Sequence, residues 1–431
     1  MVTMQHHPYG RAWLRRPWLA LTAAAACMLG SSYALAAVTF NPFATFSVEH
    51  HSNIFQRSAD APPQQGQLNG PFGDTIMRYL VGATADFTFG RDTLSVNAQG
   101  SHYGYEHYNQ LNHNESVFGG VFRWHLGPIA DGKLEYSQTR MQTPQANTLS
   151  QQLEIQTERE LRGLVRLYVM PRWRLDMEPT WREYDLPLPA FPLFGYRETG
   201  LAGSINYLGI AKLTAGLRAE YVNGAYHHID AATKYEQKVA GLTADYAITN
   251  FSSFDMQAGY TWRNSDLVNV ADANLVSSGV AGFVGSTKTF TGSLGFTRKL
   301  SVKTSVSVKA FREIDSYVAG ANSEIGTGAE GTVRWAPDVK FTTLLSYRYS
   351  RQAIQGSILL TNLAAGNFPG RVDRTQDVRL SVEYHAFNWL TLRPYVERQT
   401  RSSNLNEANF NDTVTGIDFT ARLRQNQPNQ L

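Results

Sequence analysis

The sequence predicts an all-β protein, a transmembrane antiparallel up-and-down β-barrel of about 18 strands with short periplasmic turns and long extracellular loops. Three observations predict it: long stretches in which apolar and polar residues alternate, tight turns at regular spacing, and longer polar loops between those turns.

Residues 1–36 read as a signal peptide. Arg11, Arg15 and Arg16 form a cationic head, Trp18 to Leu29 a short apolar run, and Ala34-Leu35-Ala36 the small residues that a signal peptidase needs. The apolar run is too short to span a bilayer as a helix, so a barrel is expected over 37–424, followed by a polar tail at 425–431. Cys27, the single cysteine, lies in this leader, with Ala24 where a lipoprotein signal wants a larger aliphatic residue. The rest of the chain has no thiol. Thiolate catalysis, cysteine-bound metals and disulfides are thereby excluded, and export through an oxidising periplasm to the bacterial outer membrane fits.

The leader holds three of the 39 Lys and Arg, leaving 36 against 36 Asp and Glu. That balance argues against nucleic acid as a partner. Mean hydropathy is −0.31, and no apolar run long enough for a membrane-spanning helix follows the leader. The 21 Tyr, 22 Phe and 35 Gly suit strands and tight turns.

Side chains alternate across a strand, so a two-residue period marks an amphipathic strand. Thr413, Thr415, Ile417, Phe419, Ala421 and Leu423 oppose Gly416, Asp418, Thr420, Arg422 and Arg424. Phe118, Phe122, Trp124 and Leu126 oppose Glu115, Gly119, Arg123 and His125; Ile155, Leu161, Val165, Leu167 and Val169 oppose Glu154, Glu158, Glu160, Arg162 and Arg166. These strands run to roughly 10–14 residues, longer than soluble strands and long enough to cross a bilayer at a tilt.

Turns are expected near Gly90-Arg91-Asp92, Gly127 to Gly132, Met170-Pro171, Leu208-Gly209, Thr249-Asn250, Leu300-Ser301, Ala336-Pro337 and Phe387-Asn388. Each interval of roughly 40 residues then holds two strands and one longer loop; a propeller of the same period would need four short strands and a blade signature. Aromatics beside the turns (Trp124, Tyr168, Trp173, Tyr207, Tyr246, Phe251, Trp335, Phe341, Phe387 and Trp389) are expected to form an interfacial girdle against outer-membrane lipid.

If the apolar face meets lipid, the polar face lines a lumen. Parity puts Glu158, Glu160, Arg162 and Arg166 inward, then Arg172, Arg174, Glu178 and Arg182. Near the C-terminus it selects Asp377, Arg379, Ser381, Glu383, Arg393, Tyr395, Glu397, Gln399, Asp418, Thr420 and Arg422. A wall of mixed sign suits hydrogen bonding to hydroxyl-rich solutes, or pairing within itself, better than a single-ion filter.

Catalytic patterns are weak. His102 and His107 flank Tyr103 and Tyr105, and His227-His228 fall in a loop, none at zinc-protease spacing; no Gly-x-Ser-x-Gly elbow occurs. The oxygen-rich run Asn404, Asn406, Glu407, Asn409, Asn411, Asp412 lacks EF-hand spacing and reads as a solvated loop. Neither cofactor nor metal is expected, and the barrel is not expected to be an enzyme.

Two segments, Phe46-Ser47-Val48-Glu49-His50-His51-Ser52-Asn53-Ile54-Phe55-Gln56-Arg57 and Trp389 to Asn404 (WLTLRPYVERQTRSSN), resemble the ends of the EpsL-like outer-membrane β-barrel family of exopolysaccharide gene clusters. The first is a strand closing in a Ser-Asn pair and an Arg, with His51 where that family tends to carry Asp. The second is a Tyr-bearing strand followed by Arg and Ser-Asn. This resemblance implies a passive conduit or accessory for exopolysaccharide export. The partners would be a polysaccharide chain and other export-machinery proteins, with Arg162, Arg166, Arg172, Arg174, Arg182, Arg379, Arg393, Tyr395 and Glu397 as lumen contacts. The residues alone leave two alternatives open. One is a general diffusion porin for small hydrophilic solutes, which an inserted loop such as Gly279 to Gly285 would favour. The other is a barrel enzyme acting on lipid or polysaccharide, which would need Ser, His and a carboxylate converging at the outer rim.

Overall fold

The computed structural model describes residues 37–58, 72–144, 152–186, 195–227, 234–265, 286–317, 322–354 and 371–423. The expected leader and polar tail, and the Gly279 to Gly285 segment, lie outside the described residues, as does His228. The strands are β1 (Ala37–His51), β2 (Asp74–Phe89), β3 (Asp92–Tyr105), β4 (His113–Leu126), β5 (Ala130–Gln142), β6 (Ile155–Met170), β7 (Trp173–Asp185), β8 (Gly195–Ile210) and β9 (Leu213–His227). They continue as β10 (Lys234–Thr249), β11 (Ser252–Ser265), β12 (Ser286–Lys299), β13 (Thr304–Tyr317), β14 (Asn322–Trp335), β15 (Phe341–Ile354), β16 (Arg371–Phe387), β17 (Leu390–Ser403) and β18 (Phe410–Arg422). Each pairs antiparallel with its neighbours in sequence, and β1 pairs with both β2 and β18, so 18 strands close on themselves. Closure satisfies the backbone groups an open edge would leave bare in lipid. The strands run from 13 to 17 residues, from the top of the expected range to beyond it; they extend past the apolar belt into a polar collar on the long-loop side.

That collar accounts for the outward-facing charges. Arg159 of β6 donates to Glu183 (3.0 Å) and Asp185 (3.1 Å) of β7, and Arg197 of β8 joins Glu183. All lie toward the long-loop ends of their strands, clear of the hydrophobic midplane where charge is costly. Below them the outer face is apolar and aromatic, with Phe46 beside Tyr79 (ring centroids 5.2 Å), Trp173 beside Tyr207 (5.0 Å), Phe341 on Tyr384 (4.7 Å) and Phe387 on Trp389 (5.7 Å).

Two turn-side assignments need correction. Tyr168 does not belong to the outer girdle. It is in register with the inward Arg174, and its hydroxyl donates to Asp131 at 2.8 Å, so it faces the lumen. The β8–β9 turn falls after Ile210 rather than at Leu208-Gly209, with Lys212 at φ 66. A register shift between Tyr207 and Ile210 carries the strand onward. Gly209 leaves room there for the Tyr207 ring, whose hydroxyl would lie 2.2 Å from a Cβ at that position.

The wall is not uniform around its circumference. β12 and β13 pair only from Gly292↔Arg312 down to Lys299↔Ser305. Toward the long-loop side, Ser286 to Thr291 stay paired to β11 except where strands end, and Glu313 to Tyr317 stay paired to β14, but the two segments do not pair with each other. Arg312 spans this slit. Its guanidinium donates to the Phe290 carbonyl (3.1 Å), Thr289 Oγ1 (3.0 Å) and Thr327 Oγ1 (2.8 Å), giving partners to groups beside an opened ladder.

Candidate functional site: the barrel lumen

Strand parity sends a polar face into the lumen from every strand, and on one arc that face is a continuous ionic network. Arg393 of β17 grips Asp418 of β18 (2.9 Å from Nε), which Arg78 of β2 also approaches at 3.5 Å while donating to Ser47 of β1 at 2.9 Å. Tyr395 donates to Glu49 of β1, two strands away, at 2.5 Å, and Arg379 lies over the Tyr395 ring at 4.4 Å while pairing with Glu397 at 3.0 Å. Asp373, itself buried, takes Arg371 at 2.7 Å and Arg401 at 3.7 Å. Buried charge of this kind persists only when paired.

The two segments that carry the family resemblance meet at the β1–β18 closure. After β1 the chain turns back over the wall at Asn53 to Gln56, where Gln56 takes φ 47. Asp412 of β18 holds this turn: it accepts from Asn53 N (2.8 Å), Ser52 Oγ (3.1 Å) and His51 Nδ1 (2.9 Å). Gln56 Nε2 reaches Gln399 of β17 at 3.0 Å. Phe55 is 1% exposed and packs with the inward Ile76 and Tyr105 and with Leu111, so an apolar cluster fills one side of the long-loop mouth.

Ser52, His51 and Asp412 thus converge at the rim, as a barrel enzyme would require, but with the wrong connectivity. The Ser52 hydroxyl donates to the carboxylate and accepts from Thr413 N at 2.7 Å. Its proton is directed at Asp412 rather than at an imidazole base, so the trio is a structural clasp. The oxygen-rich run before it is likewise engaged: Asn404 Oδ1 accepts from Val372 N and Asn409 Oδ1 from Ser403 N. Asp74, Glu106 and His107 come within metal-ligand distance of one another. Asp74, however, already accepts from the amides of Thr75, His107 and Tyr108 and from His107 Nδ1 (2.9 Å), which makes it a loop cap. That hydrogen bond raises the pKa of His107 above its ordinary value. His102 faces outward, against Asn114 at 2.8 Å.

Of the lumen contacts selected by parity, eight face inward. Arg162 pairs with Glu160 (2.7 Å), Arg166 with Asp131 (3.5 Å) and Arg174 with Asp176 (2.7 Å); Arg182, Arg379, Arg393, Tyr395 and Glu397 also lie on the inner face. Arg172 does not. It is exposed in the short turn after Met170, because β6 ends there and parity has no meaning beyond a strand.

Sequence parity offered no sign of one contact. Arg182 of β7 has its Nη1 3.6 Å from Asp315 Oδ1 of β13, six strands away around the barrel. With strands about 4.8 Å apart and tilted by about 40°, a circular 18-strand barrel would be on the order of 35 Å across. Two side chains cannot bridge that, so the walls approach each other here. Midway between β7 and β13 lies β10, where the inward Gly241 faces Gly259 of β11. A Cβ on Gly241 would stand 2.4 Å from the Ala258 carbonyl oxygen and 2.8 Å from Gly259 Cα, the crowding expected at a sharp inward bend.

No protein-family model and no curated protein matches the chain. Among solved structures it is similar to Pseudomonas aeruginosa OpdK with vanillate (12% identity, TM-score 0.44, covering 89% of this chain and 99% of that one). It is also similar to P. aeruginosa OprD (12%, 0.45, 91% and 97%) and to Acinetobacter baumannii OccAB3 (11%, 0.44, 90% and 100%).

Proposed function

We propose that the chain is a passive outer-membrane pore for the diffusion of small hydrophilic solutes. The observation that carries this reading is a polar lumen narrowed by a side-chain contact across it, with an apolar belt outside. An 18-strand barrel without that contact could pass a polymer. With it, the passage is divided at one level into two narrower ones. The arginines that would slide along sugar hydroxyls are also engaged, Arg174 by Asp176, Arg379 by Glu397 and Arg393 by Asp418. Export of an exopolysaccharide, which the two terminal segments suggest by resemblance, is the second reading. It is favoured by the way those segments come together at the closure.

Single-channel conductance of the refolded protein in a planar bilayer, with short and long oligosaccharides added, separates the two. A small stable conductance indifferent to saccharide length is the expected result. Block that deepens with chain length would favour the polysaccharide conduit, and a folded barrel that never conducts would overturn both.

A further inference from the structure

Asp315 reaches Arg182 because β13 leaves the wall. Above Arg312 the strand has lost β12 and keeps only β14, so its last residues are held from one side. Asp315 sits there directly opposite Glu324 of β14, both by parity on the inner face. Two carboxylates in that register repel each other, and the Arg182 guanidinium arriving from the far wall relieves the repulsion. Arg182 in turn lies among Glu160 (3.4 Å), Glu158 (3.8 Å) and Glu198 (3.9 Å), with Arg162 sharing the same Glu160 oxygen. Four carboxylates therefore stand within 4 Å of one guanidinium at the level where the lumen is crossed.

We propose that this displaced end of β13 is the selectivity element of the pore: the Arg182–Asp315 contact sets the size limit, and the carboxylate surplus around it favours hydrophilic cations. The proposal rests on the diffusion-pore reading above. The element is a strand end that has parted from β12 while keeping its ladder to β14, and the ion pair at Asp315 ties it to the opposite wall. A guanidinium and a carboxylate meeting in a water-filled lumen hold each other weakly, so the neck is adjustable by single substitutions, whereas the continuous ladders elsewhere are not.

The test is conductance and reversal potential under a salt gradient, with polyethylene glycols of graded size as probes, for the unaltered protein, Asp315→Asn, Arg182→Gln and Asp315→Glu. Both neutralising variants are expected to raise conductance about twofold and to admit larger polymers, while shifting selectivity in opposite directions. Asp315→Asn loses a carboxylate and weakens cation preference; Arg182→Gln removes a positive charge from among the carboxylates and strengthens it. Asp315→Glu keeps the pair and keeps the original conductance. The two neutralising changes lie on opposite walls, so a folding failure in one leaves the other to decide. Unchanged conductance in a folded neutralising variant, or selectivity shifts of the same sign, overturns the neck while leaving the pore intact. Absence of conductance in the unaltered protein overturns the pore reading itself.

Discussion

The barrel has two seams of opposite character. At β1–β18 the strands pair from Phe43↔Arg422 to His51↔Val414, and side chains tie β17, β18, β1 and β2 together both along the ladder and beyond its end. At β12–β13 the ladder stops at Gly292↔Arg312, and the described side-chain bridge over the slit is Arg312. The first seam joins the two ends of the chain, which nothing in the local sequence holds together, and it carries the denser side-chain network. The second joins strands that are consecutive in sequence, and it is loose. Backbone pairing alone closes a barrel. Cross-linking by buried carboxylates decides where the wall is fixed and where it can bend inward.

The largest effect is expected from breaking the tight seam. Asp412→Ala removes one acceptor shared by Asn53 N, Ser52 Oγ and His51, leaving the buried Asn53 amide without a partner and the half-buried His51 without its nearest carboxylate; about 3 kcal/mol of stability should be lost. Urea unfolding in lipid vesicles measures it. A loss well under 1 kcal/mol would show that the ladder suffices and that the contrast between seams is only geometric.

Arg312→Ala should cost less, about 1–2 kcal/mol, since its bonds go to neutral oxygens beside a slit that is already open. Its signature is local: faster amide exchange over Ser286 to Thr291 and Glu313 to Tyr317, with β1 and β18 unaffected. Exchange spreading round the whole barrel would mean that the two seams are one cooperative unit.

The smallest effect concerns the loop beside the tight seam. His107 is exposed, and its pKa is raised above 6.5 chiefly by its hydrogen bond to Asp74. The contribution of the charged pair is present below the ordinary histidine pKa and fades as pH rises through the raised one. Nuclear magnetic resonance titration of the imidazole should place its midpoint above 6.5. In Asp74→Asn the midpoint should fall back toward that value, and an unchanged midpoint would remove the pair from the account.

Most of the frame is legible in the sequence because a strand's two-residue period and its turns are local. Asp377, Arg379 and Glu397 could be placed inside by counting alone. Counting fails where locality ends. Arg172 lies past a strand terminus and the β8–β9 turn beyond a register shift, whereas counting places Tyr168 inside with Arg166 and only its nearness to the turn points to the girdle. The Arg182–Asp315 contact depends on how far opposite walls approach each other, which no alternation encodes. One signal was available for the loose seam. Arg312 falls on the lipid-facing parity of β13, between Ala310 and Ile314, where a guanidinium without partners would be costly. Such an arginine implies backbone acceptors left open beside it.

The clasp at Asp412 also has a meaning in time. Asn53 and Asp412 are separated by 359 residues of chain and become neighbours when the first strand finds the last. Until then Ser52 and Asn53 lack their carboxylate anchor, whereas Ile54 already has the Phe72 carbonyl and Phe55 a pocket built from β2, β3 and the segments beside them. That clasp is therefore a timestamp of completed assembly: a reporter placed at Ser52 would stay silent through every hairpin and register only the closing of the ring.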